Sequence, residues 1–321
     1  MKALITGIEG FVGSHLAELL IRKGVEVGGI IYEKNAINIP HIQKQIVPFH
    51  SDIRDGKKLK RVIKGFKPDQ IYHLAAMSSV RDSLESPRVC FDINVMGTIA
   101  LLEAVRASDY NPRLLLVGSG EEYGPSRSVP LTEDSPLNPI TPYALSKACM
   151  EMAGMMYYRA FSLPIIRVRS FNHTGPRQST LGVCSDFARQ IGEIEAGKRK
   201  PLLMVGNISA KRDFSDVRDI VRGYWLAMKK GKPGEIYNLC SGKAYSIKDI
   251  LKILLSMSTK KITVRVRKER LRPLDIPILQ GSYARAKKEL GWTPTIPLQQ
   301  TLGDLLNFLR KQILTNAPNK M

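Results

Sequence analysis

Tyr143 and Lys147 stand four residues apart in LNPITPYALSKACMEM (137–152), just after a proline-rich approach. Helical residues at i and i+4 share a face. A nearby cation favours the phenolate, so the spacing predicts a tyrosine tuned to exchange a proton with a substrate oxygen near neutral pH. A packed tyrosine and a solvated lysine have the same spacing. The chemistry therefore depends on what else the chain places around them.

The N-terminal stretch KALITGIEGFVGSHLAELL carries Gly7, Gly10 and Gly13 as G-x-x-G-x-x-G between an apolar strand and an amphipathic helix. Glycine lets the backbone turn sharply and approach a pyrophosphate, and the helix start offers N–H groups and a positive dipole. In this strand–turn–helix setting the motif predicts dinucleotide binding. Asp52, in HSDIRD, follows a third expected strand and is placed to meet an adenine amine; Ala75 and Ala76 close the next strand with small side chains beside a flat cofactor. Loop capping and packing are the bland readings of these positions.

Such residues need a rigid frame, and the hydrophobic pattern supplies one. Apolar strands are expected at 2–7, 25–31, 113–120 and 163–172, with another opening in FKPDQIYHLAA (66–76); helices are expected at 14–24, 94–108 and 143–161. Alternating β and α units imply a parallel sheet wound on both faces. The fold class is α/β: a Rossmann-type doubly wound parallel sheet over 1–172, with a smaller interleaved C-terminal α/β lobe over 173–321 for substrate. KKITVRVRKERLR (260–272) reads as a strand with one wet face, Ile262, Val264 and Val266 forming the other.

The 321 residues, 43 % hydrophobic and 24 % charged, describe an ordinary globular protein. No run approaches the ~18 apolar residues of a membrane span, and glycines and polar residues in the N-terminal stretch interrupt any signal-peptide core, so export is not expected. A cytoplasmic protein is expected. Cys90, Cys149, Cys184 and Cys240 form no CxxC pair, and the five histidines show no metal-ligand spacing. No metal is expected. The formal charge of +20 would attract any polyanion. Its cations are spread along the chain without interleaved aromatics, so solubility or a hot habitat is the expected source, and nucleic acid is not an expected partner.

Taken together, Gly7/Gly10/Gly13, HLAA (73–76), Asn94, a strand ending in Ser119, and Tyr143/Lys147 resemble the extended short-chain dehydrogenase/reductase family over nearly the whole chain. The resemblance implies a catalytic set of Ser119, Tyr143 and Lys147. Ser119 would hydrogen-bond the sugar hydroxyl or carbonyl oxygen, Tyr143 would be the general acid/base, and Lys147 would hold the nicotinamide ribose. It implies cofactor contacts from Gly7, Gly10, Phe11, Val12, Gly13, Asp52, Ile53, Leu74, Ala75, Ala76 and Asn94, besides Tyr143 and Lys147. SFNHTGPRQ, VGNISAKRDFSDVRDIV and LRPLDIPILQGSYARAKKELGWTP resemble its GDP-mannose branch. Carry-over then implies Ser79 near the hexose, Asn172 on a phosphate or sugar, Arg212 and Arg272 on the diphosphate, and Asp275 on the nucleotide ribose. Relatives resemble homodimers built from the helices at 88–107 and 143–161.

Within that branch the implied reaction is reduction of the C4 ketone of GDP-4-keto-6-deoxy-D-mannose to GDP-D-rhamnose. The alternative is the 4,6-dehydration that makes this ketone, or another nucleotide-sugar epimerase or reductase. Dehydratases resemble Thr–(Ser or Asp)–Glu where this chain has Ser119-Gly120-Glu121, and Ser-Pro-Arg-Arg where it has Gly175-Pro176-Arg177-Gln178. Glu121 is kept as a fourth catalytic candidate. The cofactor is NADP or NAD. At the end of the second strand stand Ile31 and Tyr32, neither acidic, followed by Glu33 and Lys34. With no ribose-binding acid in that place, the expectation is weak discrimination leaning to NADPH.

Overall fold

The computed structural model describes residues 1–32, 38–267, 269 and 275–315. Glu33, Lys34 and Arg272 lie outside the described residues.

Seven parallel strands form the main sheet: β1 (Lys2–Thr6), β2 (Glu26–Ile31), β3 (Ile46–His50), β4 (Gln70–His73), β5 (Arg113–Ser119), β6 (Ile165–Ser170) and β10 (Ile236–Leu239). Their spatial order is β3-β2-β1-β4-β5-β6-β10, the dinucleotide-binding order with one strand added. Side chains alternate across the strands, so each helical layer receives its own apolar face. Ala3 and Ile5 pack with Leu16 and Leu20 of α1 (Phe11–Arg22) and with Ile220 and Tyr224 of α8 (Val217–Lys230). Leu4 faces the other layer, α2 (Gly56–Phe66), α5 (Gly97–Arg106) and α6 (Pro142–Phe161), through Leu59, Leu101 and Met150.

Local sequence explains the helix starts. Asp55 accepts from Lys58 N at 3.0 Å to open α2, and Thr141 accepts from Ala144 N at 3.1 Å to open α6, where Pro142 takes the first helical position. Between α3 (Val80–Glu85) and α5, the short α4 (Pro87–Phe91) passes through one π-type turn at Asp92–Met96 before α5 continues. Such turns concentrate at functional sites, and this one carries Asn94.

The second lobe is built from β7 (Asn172–Thr174), α7 (Val183–Glu195), β8 (Leu202–Val205), β9 (Lys211–Asp216), β11 (Ala244–Ser246), α9 (Ile247–Ser256), β12 (Thr263–Val266), β13 (Ile278–Leu279) and α10 (Leu298–Thr315). Its own core joins Phe187, Phe214, Leu251 and Leu305. The chain crosses back twice, so a cut at residue 172 does not divide the lobes. After β9, α8 and β10 return to complete the main sheet, and near the end Trp292 inserts into the same core. Trp292 is fully buried, its Nε1 donates to Asp219 O at 2.9 Å, and its ring meets Tyr283 edge-on at 6.0 Å.

Two sequence expectations shift. Ala75 and Ala76 belong to the loop after β4, which ends at His73. In β12, Val266 is exposed, so only Ile262 and Val264 turn partly inward. Among the described residues the strand pairs with β8 in a two-stranded ribbon apart from the main sheet.

Because Trp292 couples the C-terminal segment to the main sheet, Trp292→Ala is expected to destabilise the protein by about 3–5 kcal/mol, the scale for deleting a buried aromatic. Calorimetry should show one transition, at lower temperature. Two separated transitions, with only the later one intact, would mean that the lobes fold independently.

Candidate active site

The C-terminal ends of β1, β4, β5 and β6 lie side by side at one edge of the sheet, the place where ligands bind in sheets of this type. At that edge Gly7 adopts φ +70°, and a Cβ there would lie 3.0 Å from the backbone of Ala75. A Cβ on Gly13 would lie 2.1 Å from Gly7 O, so α1 can seat on the loop only through glycine. Gly10 is exposed at the helix start, and no side chain caps the helix there. Phe11 and Val12 thus begin a 12-residue helix whose first N–H groups face the loop mouth. This cradle fits a dinucleotide pyrophosphate.

The β4 side is pinned from within. Thr6 Oγ1 accepts from Leu74 N and Ala75 N at 3.2 and 3.1 Å and pairs with His73 Nδ1 at 2.9 Å. His73 is fully buried and its pKa falls to about 3 through loss of hydration. Asn94 is also buried. Its Oδ1 accepts from Met77 N at 2.8 Å, and its Nδ2 donates to Met77 O at 3.1 Å and Ser146 Oγ at 2.9 Å. Asn94 therefore locks the loop at 74–77 to α6. Ile53 is buried under the π-type turn, where a Cβ on Gly97 would lie 2.7 Å from it. Asp52 is gripped by Arg54 through contacts of 2.5 to 3.1 Å, which hold its carboxyl below its ordinary pKa.

The structure brings Ser119 to Tyr143, and Lys147 follows one turn along α6. Ser119 ends β5, and its side chain is in hydrogen-bond contact with the Tyr143 hydroxyl. The expected lowering of the Tyr143 pKa is not what the structure shows. Burial first, then the negative charge of Glu121, push the phenol well above its ordinary value; the Ser119 hydrogen bond offsets only part. Tyr143 is a protonated donor in this state. Lys147 is buried, and its Nζ donates to Val117 O at 2.7 Å. Loss of hydration lowers its pKa to about 8, and Glu122 is the main group opposing that fall.

Glu122 was not a sequence candidate. It is completely buried behind Ser119, whose N–H it accepts at 2.5 Å. Room for it comes from Gly118, where a Cβ would lie 2.5 Å from its Oε1. Behind it Arg169 grips Glu151 at 2.7 and 2.8 Å and donates to Tyr123 Oη at 2.8 Å. Burial and the neighbouring Glu151 carboxylate raise the Glu122 pKa well above the usual range. The only sequence signal was an acid following Glu121, and spacing alone does not distinguish a solvated acid from a buried one.

On the substrate side, Ser79 caps α3 by accepting from Asp82 N at 3.1 Å. Asn172 opens β7, and its Oδ1 is buried with no hydrogen-bond partner among the described residues. Arg212, on β9 beside β7, donates to Asp275 Oδ1 at 2.5 Å and to Ile276 O at 2.6 Å. The sequence treats Arg212 and Asp275 as separate ligands; the structure pairs them. Asp275 also accepts from Asn207 Nδ2 at 2.9 Å. Among the described residues no cluster of His, Cys, Asp or Glu could hold a metal.

The comparisons agree with this geometry. Residues 4–305 match the family model described as GDP-mannose 4,6 dehydratase. GDP-mannose 4,6 dehydratase 1 from Arabidopsis thaliana is 32 % identical, over 98 % of this chain and 92 % of its own length. GDP-6-deoxy-D-mannose reductase from Pseudomonas aeruginosa is 29 % identical, over 95 % and 96 %. The solved structure of RMD from Pseudomonas aeruginosa complexed with NADPH superposes with a TM-score of 0.86 at 27 % identity, covering 97 % of this chain and 99 % of that one. Further solved neighbours contain NAD. With its Rossmann sheet, glycine cradle and Ser119–Tyr143–Lys147 set, the chain belongs to the GDP-mannose 4,6-dehydratase family of NAD(P)-dependent nucleotide-sugar enzymes.

Proposed function

We propose that the enzyme reduces the C4 ketone of GDP-4-keto-6-deoxy-D-mannose to GDP-D-rhamnose, with Tyr143 as the proton donor. The observation that carries this reading is at Gly120. A Cβ there would lie 2.9 Å from the Phe171 ring, so this backbone leaves no space for the serine or aspartate that the dehydratase pattern places between its Thr and Glu. The relative named GDP-6-deoxy-D-mannose reductase aligns over 95 % of this chain. Glu121, coupled electrically to Tyr143, keeps dehydration as the second reading, since that reaction needs a base for the sugar C5 proton.

When bound, the nicotinamide supplies the hydride for a ketone carbon. Ser119 orients the ketone oxygen and the Tyr143 hydroxyl together. As negative charge grows on that oxygen, Tyr143 delivers its proton, a step for which a protonated phenol is the right form. The Lys147 ammonium, one helical turn away, favours the phenolate left behind and holds the nicotinamide ribose. Asn172, whose Oδ1 has no partner within the described residues, is placed to meet a hydroxyl of the sugar. Arg212, braced by Asp275, is placed to face the diphosphate, for which guanidinium geometry is well suited.

The enzyme acts as a homodimer on this reading. Val89, Met96, Leu145, Met152, Met156 and Phe161 are exposed along α4–α5 and α6, Met152 at 61 %. So much apolar surface on adjoining helices marks an interaction face. No helix among the described residues is long and apolar enough to cross a membrane.

Three outcomes follow. With the 4-keto-6-deoxy GDP-sugar, nicotinamide absorbance should fall in step with GDP-deoxyhexose formation, and Tyr143→Phe should lower turnover by roughly 10²-fold or more while nucleotide binding persists. Consumption of GDP-mannose with no net change in cofactor would establish the dehydratase instead. The second outcome concerns pH. The Lys147 cation is lost as pH rises through about 8, so kcat/KM for the cofactor should decline above that pH. Glu122→Gln removes the carboxylate that opposes this fall, so the decline should begin at lower pH; an unmoved limb would mean that Glu122, with its raised pKa, is already uncharged there. Thirdly, sedimentation should give a dimer, and Met152→Glu should shift it toward monomer.

A further inference from the structure

Helical positions i, i+4 and i+7 share one face. On α1 these are Phe11, His15 and Glu18, and each meets the segment that leads from β7 into the second lobe. The Phe11 ring stacks on His173, with centroids 6.0 Å and planes 17° apart, and meets His15 edge-on at 5.7 Å. His15 is buried, and its Nε2 lies 2.9 Å from Pro176 O. A carbonyl only accepts, so the imidazole donates there. Glu18 then accepts from Arg177 Nη1 at 2.5 Å and Nη2 at 3.1 Å, with His41 at the exposed rim of the pair. The contacts follow one another in the same order along the helix and along 173–177.

The last contact holds a strained residue. Arg177 has φ +71°, a left-handed backbone that residues other than glycine keep only where their surroundings enforce it. Glu18 is the enforcing group. Burial alone would raise its pKa, but the Arg177 hydrogen bonds, and after them His41, hold the carboxyl at about 2, so the pair is ionised at neutral pH. The segment is also stiff within itself. Thr174 Oγ1 donates to Gln178 Oε1 at 2.5 Å, and Gln178 Nε2 donates to His173 O at 3.2 Å. A displacement of α1 is therefore passed to β7. That strand opens at Asn172, two residues past Ser170, and Ser170 lies in register with Ser119 on the neighbouring strand. The contact row thus runs from the first turn of α1, at the glycine cradle, to the strand that continues beside the catalytic serine.

We infer that Glu18 and Arg177 are positioning residues: their ion pair clamps β7 to the cofactor helix, so that seating the dinucleotide at the start of α1 sets the place of Asn172 and of the sugar it meets. Glu18 acts through the helix and Arg177 through the loop at 173–178. An ion pair in open solvent contributes little, but these side chains are only 13 % and 21 % exposed, and without the pair nothing enforces the strained turn. The inference rests on the reading of Asn172 as a sugar contact; the clamp between α1 and β7 does not.

The test is amide hydrogen exchange of the whole protein with and without NAD or NADPH, in the absence of sugar, followed by kinetics. In the wild type, cofactor should protect 172–178 as well as the glycine loop at 7–13. In Glu18→Gln and in Arg177→Gly, which places a residue at ease with that φ, protection should stay at 7–13 while cofactor affinity is little changed. With the 4-keto-6-deoxy GDP-sugar, kcat should fall about tenfold or more in both, since misplacement by a remote change can cost about 10²-fold. The isotope effect with deuterated cofactor should grow, because the hydride step slows. The double variant should lose no more than the worse single one, as one interacting pair requires. A wild type unprotected at 172–178, or protection there that survives in both variants, overturns the inference. So does turnover that is unchanged in both, or that falls only as cofactor affinity falls. Glu18→Gln is isosteric and carries the test if Arg177→Gly does not fold. A wild type inactive on the GDP-linked ketone would refute the proposed reaction, while the exchange result would still decide the clamp.

Discussion

A lysine ammonium buried at the end of a parallel sheet loses its hydration, and an ionised group in that position survives only with fixed partners. Lys147 is in that position. Val117 O replaces one water, Glu122 counters the fall of its pKa, and Gly118 gives up a side chain to make room for Glu122. The arrangement then propagates. Glu122 accepts the Ser119 N–H and so sets the end of β5, from which Ser119 reaches Tyr143. Arg169 and Glu151 stand behind in a buried cluster with Arg167 and Glu122, so removing either charge would leave the cluster's charges unbalanced.

The sheet order makes this possible. With β1, β4, β5 and β6 adjacent, the glycine cradle and Ser119 meet at one edge of the sheet. The second lobe is tied to that edge, because α8, β10 and Trp292 return to the main core. Asn172 on β7 and Arg212 on β9 are thus held by paired strands that continue from the catalytic sheet.

Local and periodic features were legible in the sequence. Gly7 and Gly13 could be read because only glycine fits those contacts, and Tyr143 with Lys147 because helical spacing defines a face. What the sequence could not display was the company each residue keeps. Tyr143 was expected to have a lowered pKa from Lys147; burial and Glu121 raise it instead. The spacing around Asn94 did not reveal that its amide braces Met77 against Ser146. Arg212 and Asp275, 63 residues apart, proved to be one ion pair. Each miss is a long-range contact, which neither period nor motif encodes.

The central claim is that hydride enters at the sugar C4 while Tyr143 supplies the proton to the oxygen. Turnover of GDP-4-keto-6-deoxy-D-mannose with nicotinamide cofactor deuterated at its transferable position tests it most directly, with the product read by mass and proton NMR. The account predicts one deuterium, confined to C4 of a GDP-6-deoxyhexose. Product without deuterium at C4, or deuterium at C6, would contradict it.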